Sequence, residues 1–159
     1  MPEILRAGRL FEVDLDALRA LGVRALLLDA DNTLCFWHSL QIPDETLLWL
    51  RQAKAMGFAL AVVSNARTRR LQPLAARLGL PIFHRAMKPL PFALLRAAKA
   101  LGMPPKHCAM LGDQLLTDLP AALLCGMRRV LVEPLDRKRE SAFTKGFSRR
   151  AEWLLGRRP

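Results

Sequence analysis

Residues 23–34, Val-Arg-Ala-Leu-Leu-Leu-Asp-Ala-Asp-Asn-Thr-Leu, run through apolar side chains and then end in two carboxylates. A short apolar run bounded by polar turn formers is the pattern of a central strand in a parallel sheet, covered by helices on both faces. That reading puts Asp29 and Asp31 at the strand's C-terminal end, the edge where open α/β sheets bind ligands. Residues two apart on an extended chain point the same way, so the two acids can converge on one ligand. A solvated turn is the plain alternative, because Asp and Asn are frequent turn formers. The functional reading is that facing carboxylates repel, and a divalent cation such as Mg²⁺ relieves the repulsion while drawing phosphate oxygens into its shell.

The rest of the chain alternates helix and strand around that run. A short helix over 14–21 stops at Gly22 and feeds the first strand. Pro43-Asp44-Glu45 opens a helix with Leu47, Leu50 and Met56 at helical spacing, and Phe58 to Val63 reads as a second buried strand ending at Ser64-Asn65. A helix is expected over 67–78, with Arg67, Arg69 and Arg70 in its first turn. Cations there oppose the helix dipole, but a solvated face is the preferred reading. Short strands at 80–83, 108–111 and 129–132 alternate with helices at 91–101 and 117–124. This order predicts a Rossmann-like three-layer α/β/α domain with a parallel sheet of about five strands and right-handed crossovers. A chain of 159 residues suits one such domain, expected over 1–135. The remainder, 136–159, reads as a basic amphipathic tail in which Phe143, Phe147, Ala151 and Leu154 make a helical stripe.

Composition narrows the surroundings. Cys35, Cys108 and Cys125 follow no metal-ligand or disulfide spacing, which fits reduced thiols in a cytoplasmic protein. No secretory leader and no membrane-spanning run is expected. The net charge of +11 suits nucleic acid, anionic lipid, an anionic substrate, or simply a basic surface.

The strand ends carry Asp29 and Asp31, then Ser64-Asn65, then Lys88, then Asp113 with Asp118. Here the sequence resembles the haloacid dehalogenase superfamily of phosphohydrolases. Asp29-Ala-Asp31-Asn-Thr33 matches the first motif, Ala61-Val-Val-Ser64 the second, Lys88 the lysine of the third, and Gly112-Asp113-Gln-Leu-Leu-Thr-Asp118 the fourth. A strand ending in Ser, or a lysine before proline, is weak alone; their conjunction at alternating strand ends is specific.

The resemblance implies a role for each residue. Asp29 is the implied nucleophile that forms an aspartyl-phosphate, and Asp31 the acid that protonates the leaving oxygen and later activates water. Mg²⁺ is expected on Asp29, the backbone carbonyl of Asp31, and Asp113. Lys88 offsets the negative charge of Asp29 and the phosphoryl group, while Ser64, Asn65 and neighbouring N–H groups hold phosphate oxygens. Asp118 is left open between a second acid near the metal, a partner that orients Lys88, and a helix-start carboxylate. His38, His84 and His107 are read as loop residues, and Trp37 and Phe36 as lining the entrance or packing on the core.

The segments after the first and second motifs are too short for a cap domain. An open site serves a large substrate or is closed by another subunit, so a homo-oligomer is allowed. The capless layout, the Asp-Asn-Thr-Leu form of the first motif and the tail after Val-Glu-Pro are similar to the group containing YqeG-type proteins and phosphatidylglycerophosphate phosphatases. That likeness implies a phospholipid phosphate ester, with peripheral contact to an anionic membrane through the basic tail. The alternatives are a phosphatase for a soluble sugar phosphate or other small ester, and a basic RNA- or ribosome-binding module with a vestigial site. The filled catalytic positions argue against the module, and nucleic acid is not the expected partner.

Overall fold

In the computed structural model the described residues are 3–66 and 69–136. Six strands form one fully parallel sheet: β1 (Ile4–Arg6), β2 (Ala25–Leu28), β3 (Ala59–Val63), β4 (Ile82–Phe83), β5 (Cys108–Gly112) and β6 (Arg128–Leu131), in the order β1-β6-β5-β2-β3-β4. The helices are α1 (Leu15–Ala20), α2 (Asp44–Ala55), α3 (Gln72–Leu78), α4 (Phe92–Ala100) and α5 (Asp118–Cys125). No cap domain interrupts the described residues, since 29–43 is loop and 64–81 holds only a short 3₁₀ turn (Arg69–Leu71) and α3.

Strand β2 is central and wholly buried, as its apolar run requires. Its alternate side chains enter opposite layers. Leu26 and Leu28 join Leu18, Trp49, Leu50 and Leu74 on one face, while Ala25 and Leu27 join Leu94, Ala97, Ala98 and Ala122 on the other. The alanines let α4 and α5 lie close to the sheet. Register then assembles the functional edge: Leu28 is level with Val62 of β3 and Leu111 of β5, so the next residues of the three strands emerge side by side. The Asp29 amide donates to Leu111 O at 3.0 Å, which carries the sheet one residue past the strand.

Two expectations change, and a third lies beyond what is described. The sheet has six strands rather than five, because β1 is an edge strand of three residues, too short to carry a periodic signal. The helix expected over 67–78 begins at Gln72, preceded by the 3₁₀ turn, so Arg70 lies ahead of the α-helix. The tail stripe, from Phe143 to Leu154, lies outside the described residues, as does Arg67.

Candidate active site

The C-terminal edge of β2, β3 and β5 opens into a cavity of about 430 Å³. At its floor the Lys88 ammonium donates to Asp29 Oδ1 at 2.7 Å, Asp118 Oδ1 at 2.6 Å and the Val63 carbonyl at 3.0 Å. These contacts use all three of its N–H bonds. Lys88 reaches this position because Asn65 clamps its backbone: the Asn65 carboxamide accepts from Lys88 N at 2.8 Å and donates to Lys88 O at 3.0 Å. Burial by itself would lower the Lys88 pKa, but the charges of Asp118 and Asp29 outweigh it, and the net shift is upward. The lysine stays charged.

Carboxylate oxygens of Asp29, Asp113 and Asp118 lie within 4.8 Å of one another. Asp113 Oδ1 accepts from the Thr33 hydroxyl at 3.2 Å, which accounts for the threonine of the first motif. Burial, the Asp118 and Asp31 charges together outweigh the help of Lys88, and the Asp29 pKa rises to about 7. Burial and the charges of Asp29 and Asp118 push Asp113 well above the usual carboxylate range. Three carboxylates, those of Asp29 and Asp118 buried and that of Asp113 half-buried, therefore share one ammonium in a cluster short of positive charge. An all-oxygen donor set with that deficit suits a hard divalent cation. Both oxygens of Asp118 already accept a hydrogen bond, one from Lys88 and one from Gln114 N at 3.1 Å, whereas Asp29 and Asp113 each keep an oxygen outside these contacts. Asp29 and Asp113 thus have the least committed oxygens for a cation, and of the roles left open for Asp118 the geometry favours orienting Lys88.

Gly112 makes this arrangement possible. A Cβ at that position would stand 2.1 Å from Asp118 Oδ2, inside any allowed contact. The glycine of the Gly-Asp-x-x-x-x-Asp motif is room for the carboxylate that holds the lysine.

The mouth is built differently. Asp31, two residues beyond Asp29, is bound by Arg70, whose Nη2 lies 2.7 Å from both carboxylate oxygens. Arg70 Nη1 also donates to Ser39 O at 3.2 Å, and the His38 amide donates to Asp31 Oδ1 at 3.2 Å, so the 36–41 loop is tied to the acid. Ser64 is buried and lines the cavity; its hydroxyl accepts from Ala66 N at 3.2 Å, leaving its own proton for an acceptor. Asn32, at φ 62°, exchanges hydrogen bonds with Asp136, which pins the chain after β6 to the loop carrying the acids.

The edge thus gathers Asp29, Asp31, Ser64, Asn65 and Lys88 around one cavity, with Asp113 adjoining Asp29. The Asn65 carboxamide is engaged with Lys88, so any phosphate contact it makes falls to its backbone. The reading of Arg70 as a solvated cation is corrected: it pairs with Asp31. The only hint in the sequence was the cost of a cation expected at a helix start; the structure puts Arg70 in the 3₁₀ turn ahead of α3. His38, Gln114 and Thr117 also line the cavity and were not anticipated, whereas Trp37 was. Cys35 is buried beneath the loop, and desolvation pushes its thiol up to about 12, which leaves it unreactive.

A family profile described as haloacid dehalogenase-like hydrolase matches residues 3–126. The chain is 29% identical over 143 residues to "Probable phosphatase YqeG" of Bacillus subtilis, covering 90% of this chain and 82% of that protein. It is 31% identical over 140 residues to the chloroplastic phosphatidylglycerophosphate phosphatase 1 of Chlamydomonas reinhardtii, covering 82% of this chain and only about half, 52%, of that longer protein. Among solved structures, the cobalt-bound deoxy-D-mannose-octulosonate 8-phosphate phosphatase YrbI of Haemophilus influenzae superposes with a TM-score of 0.55 at 21% identity, covering 69% of this chain and 68% of that one. At that identity the likeness establishes a shared fold.

Proposed function

Because this chain belongs to the haloacid dehalogenase-like hydrolases, we propose that it is a Mg²⁺-dependent phosphomonoester hydrolase that works through an aspartyl-phosphate on Asp29. The observation that carries the reading is the buried floor, where Lys88 bridges Asp29 and Asp118 beside Asp113. An ion held by Asp29, Asp113 and the Asp31 carbonyl would supply charge neutralisation to a bound phosphoryl group.

The protein's own groups do the rest. The Asp29 carboxylate attacks phosphorus while the bond to the leaving oxygen breaks, and that oxygen takes a proton from Asp31. Asp31 then accepts a proton from water, the water oxygen attacks phosphorus, and the Asp29–phosphorus bond breaks to release inorganic phosphate. Lys88 holds Asp29 in its attacking orientation, and the Ser64 hydroxyl donates to a phosphoryl oxygen.

The proposed substrate is a phospholipid phosphate ester of the phosphatidylglycerophosphate kind. Its support is the likeness to the algal phosphatase together with the surface. No Asp or Glu occurs between Glu45 and Asp113, while Lys and Arg recur through that stretch. Met87, Leu90, Phe92 and Leu95 are exposed within it, beside buried Lys88. Cationic and apolar side chains together suit peripheral contact with an anionic bilayer. No helix among the described residues is long and apolar enough to cross a membrane.

The test is Mg²⁺-dependent phosphate release from phosphatidylglycerophosphate in mixed micelles, against soluble phosphate esters, with Asp29→Asn as control. Release from the lipid, lost in the variant, supports the reading. Release only from soluble esters moves the substrate to small molecules, and no release from any ester removes the phosphatase assignment.

A further inference from the structure

Two cations line the cavity among the described residues, Lys88 and Arg70, and their circumstances differ. Lys88 is fully engaged and cannot take a substrate anion without abandoning a buried carboxylate or the Val63 carbonyl. Arg70 sits in a partly exposed pair, with side-chain exposures of 23% for itself and 17% for Asp31. A half-buried pair that water reaches exchanges partners more readily than the buried pairs of Lys88 do. Only one Arg70 nitrogen touches the Asp31 carboxylate; Nη1 meets a neutral backbone carbonyl. A planar guanidinium can hold an oxyanion through two parallel N–H bonds, so Arg70 has a stronger charged contact available than the one it makes here.

The position of Arg70 says which anion. The acid that protonates the leaving oxygen must touch that oxygen, so whatever is esterified to it lies beyond Asp31. Arg70, Trp37 and His38 line the cavity there. We infer that Arg70 is the specificity residue of this site, receiving a second anion carried by the alcohol half of the substrate. The inference rests on the phosphatase reading and names its substrate class: phosphomonoesters whose alcohol bears a phosphodiester or carboxylate close to the esterified carbon. The incoming anion replaces Asp31 as the charged partner of Arg70, and Asp31 is released toward the leaving oxygen only when such a substrate is in place.

The experiment compares kcat/KM on three soluble esters: glycerophosphoglycerol phosphate, which carries a phosphodiester, 3-phosphoglycerate, which carries a carboxylate, and glycerol 3-phosphate, whose alcohol is neutral. The wild type is expected to prefer at least one of the first two over the third by about 10²-fold, and which one it prefers identifies the anion. Arg70→Gln lowers every rate through its contact with Asp31, but a factor common to all substrates cancels in the ratio. The expected result is a ratio that falls close to one, carried mainly by KM, with partial recovery in Arg70→Lys. A wild type without preference, or an unchanged ratio in Arg70→Gln, overturns the inference and leaves Arg70 a positioning residue for Asp31. A wild type that hydrolyses none of the three and no phospholipid overturns the phosphatase reading with it.

Discussion

The floor of this site contains two short ion pairs and the mouth one, yet the two regions behave as different kinds of structure. The Lys88 pairs with Asp29 and Asp118 have side-chain exposures of 8% or less, and the Arg70 pair with Asp31 is open at 23% and 17%. All three contacts are 2.6–2.7 Å long. Distance therefore says little about their worth. A buried pair is held by the cost of leaving either charge alone in a poor dielectric, whereas a half-buried pair that water reaches is partly screened and contributes less to stability. The floor is fixed by its burial, and the mouth is the part of the site with freedom to rearrange.

Removing the lysine should give the largest effect. Lys88→Met leaves Asp29 and Asp118 buried without their cation, which is expected to cost about 3–5 kcal/mol in denaturant unfolding and at least about 10³-fold in kcat. Adding Asp118→Asn to that variant should recover part of the stability and none of the activity, because the repulsion is relieved while the orienting cation stays absent. Gly112→Ala attacks the same floor from behind. The new methyl group must push Asp118 aside, for an expected loss of about 1–3 kcal/mol and a marked fall in kcat, read by the same two assays.

Protons and metal ions should compete for the floor. Asp29 and Asp113 are both shifted upward, so without metal the unfolded chain gives up these protons at lower pH than the folded protein does. Metal-free stability is then highest below about pH 4 and falls as pH rises toward 7, with an expected drop of several degrees, on the order of 5 °C, in Tm. Added Mg²⁺ should reverse that fall, most strongly at the upper end of the range. The smallest effect on stability belongs to the mouth: Arg70→Gln is expected to change unfolding free energy by less than about 1 kcal/mol. A loss as large as that of Lys88→Met would erase the contrast between the two regions.

The floor was more legible in the sequence than the mouth, for a physical reason. Asp29, Ser64 and Asp113 follow buried apolar strands, and strand register alone brings such ends together, so periodicity exposes them. Lys88 and Asn65 find each other through side-chain-to-backbone hydrogen bonds across 23 residues, which no periodic pattern records. Arg70 approaches Asp31 across 39 residues from a 3₁₀ turn that propensity merges with the following helix. Strand β1 escaped because three residues beside β6 become a strand only through their neighbour. Asp118 could not be assigned from spacing alone; the absent Cβ of Gly112 and the hydrogen bond to Lys88 give it a place.

If Asp29 attacks phosphorus, as proposed, the acyl phosphate it forms can be trapped on the protein. The protein with Mg²⁺ is mixed with a substrate carrying a labelled phosphoryl group, quenched in acid within one turnover, digested, and the label located by mass spectrometry. Label is expected on the peptide containing Asp29, discharged by hydroxylamine as an acyl phosphate is, and absent from Asp29→Asn. Phosphate release at full rate from a protein that never carries the label, or that keeps its rate in Asp29→Asn, would contradict it.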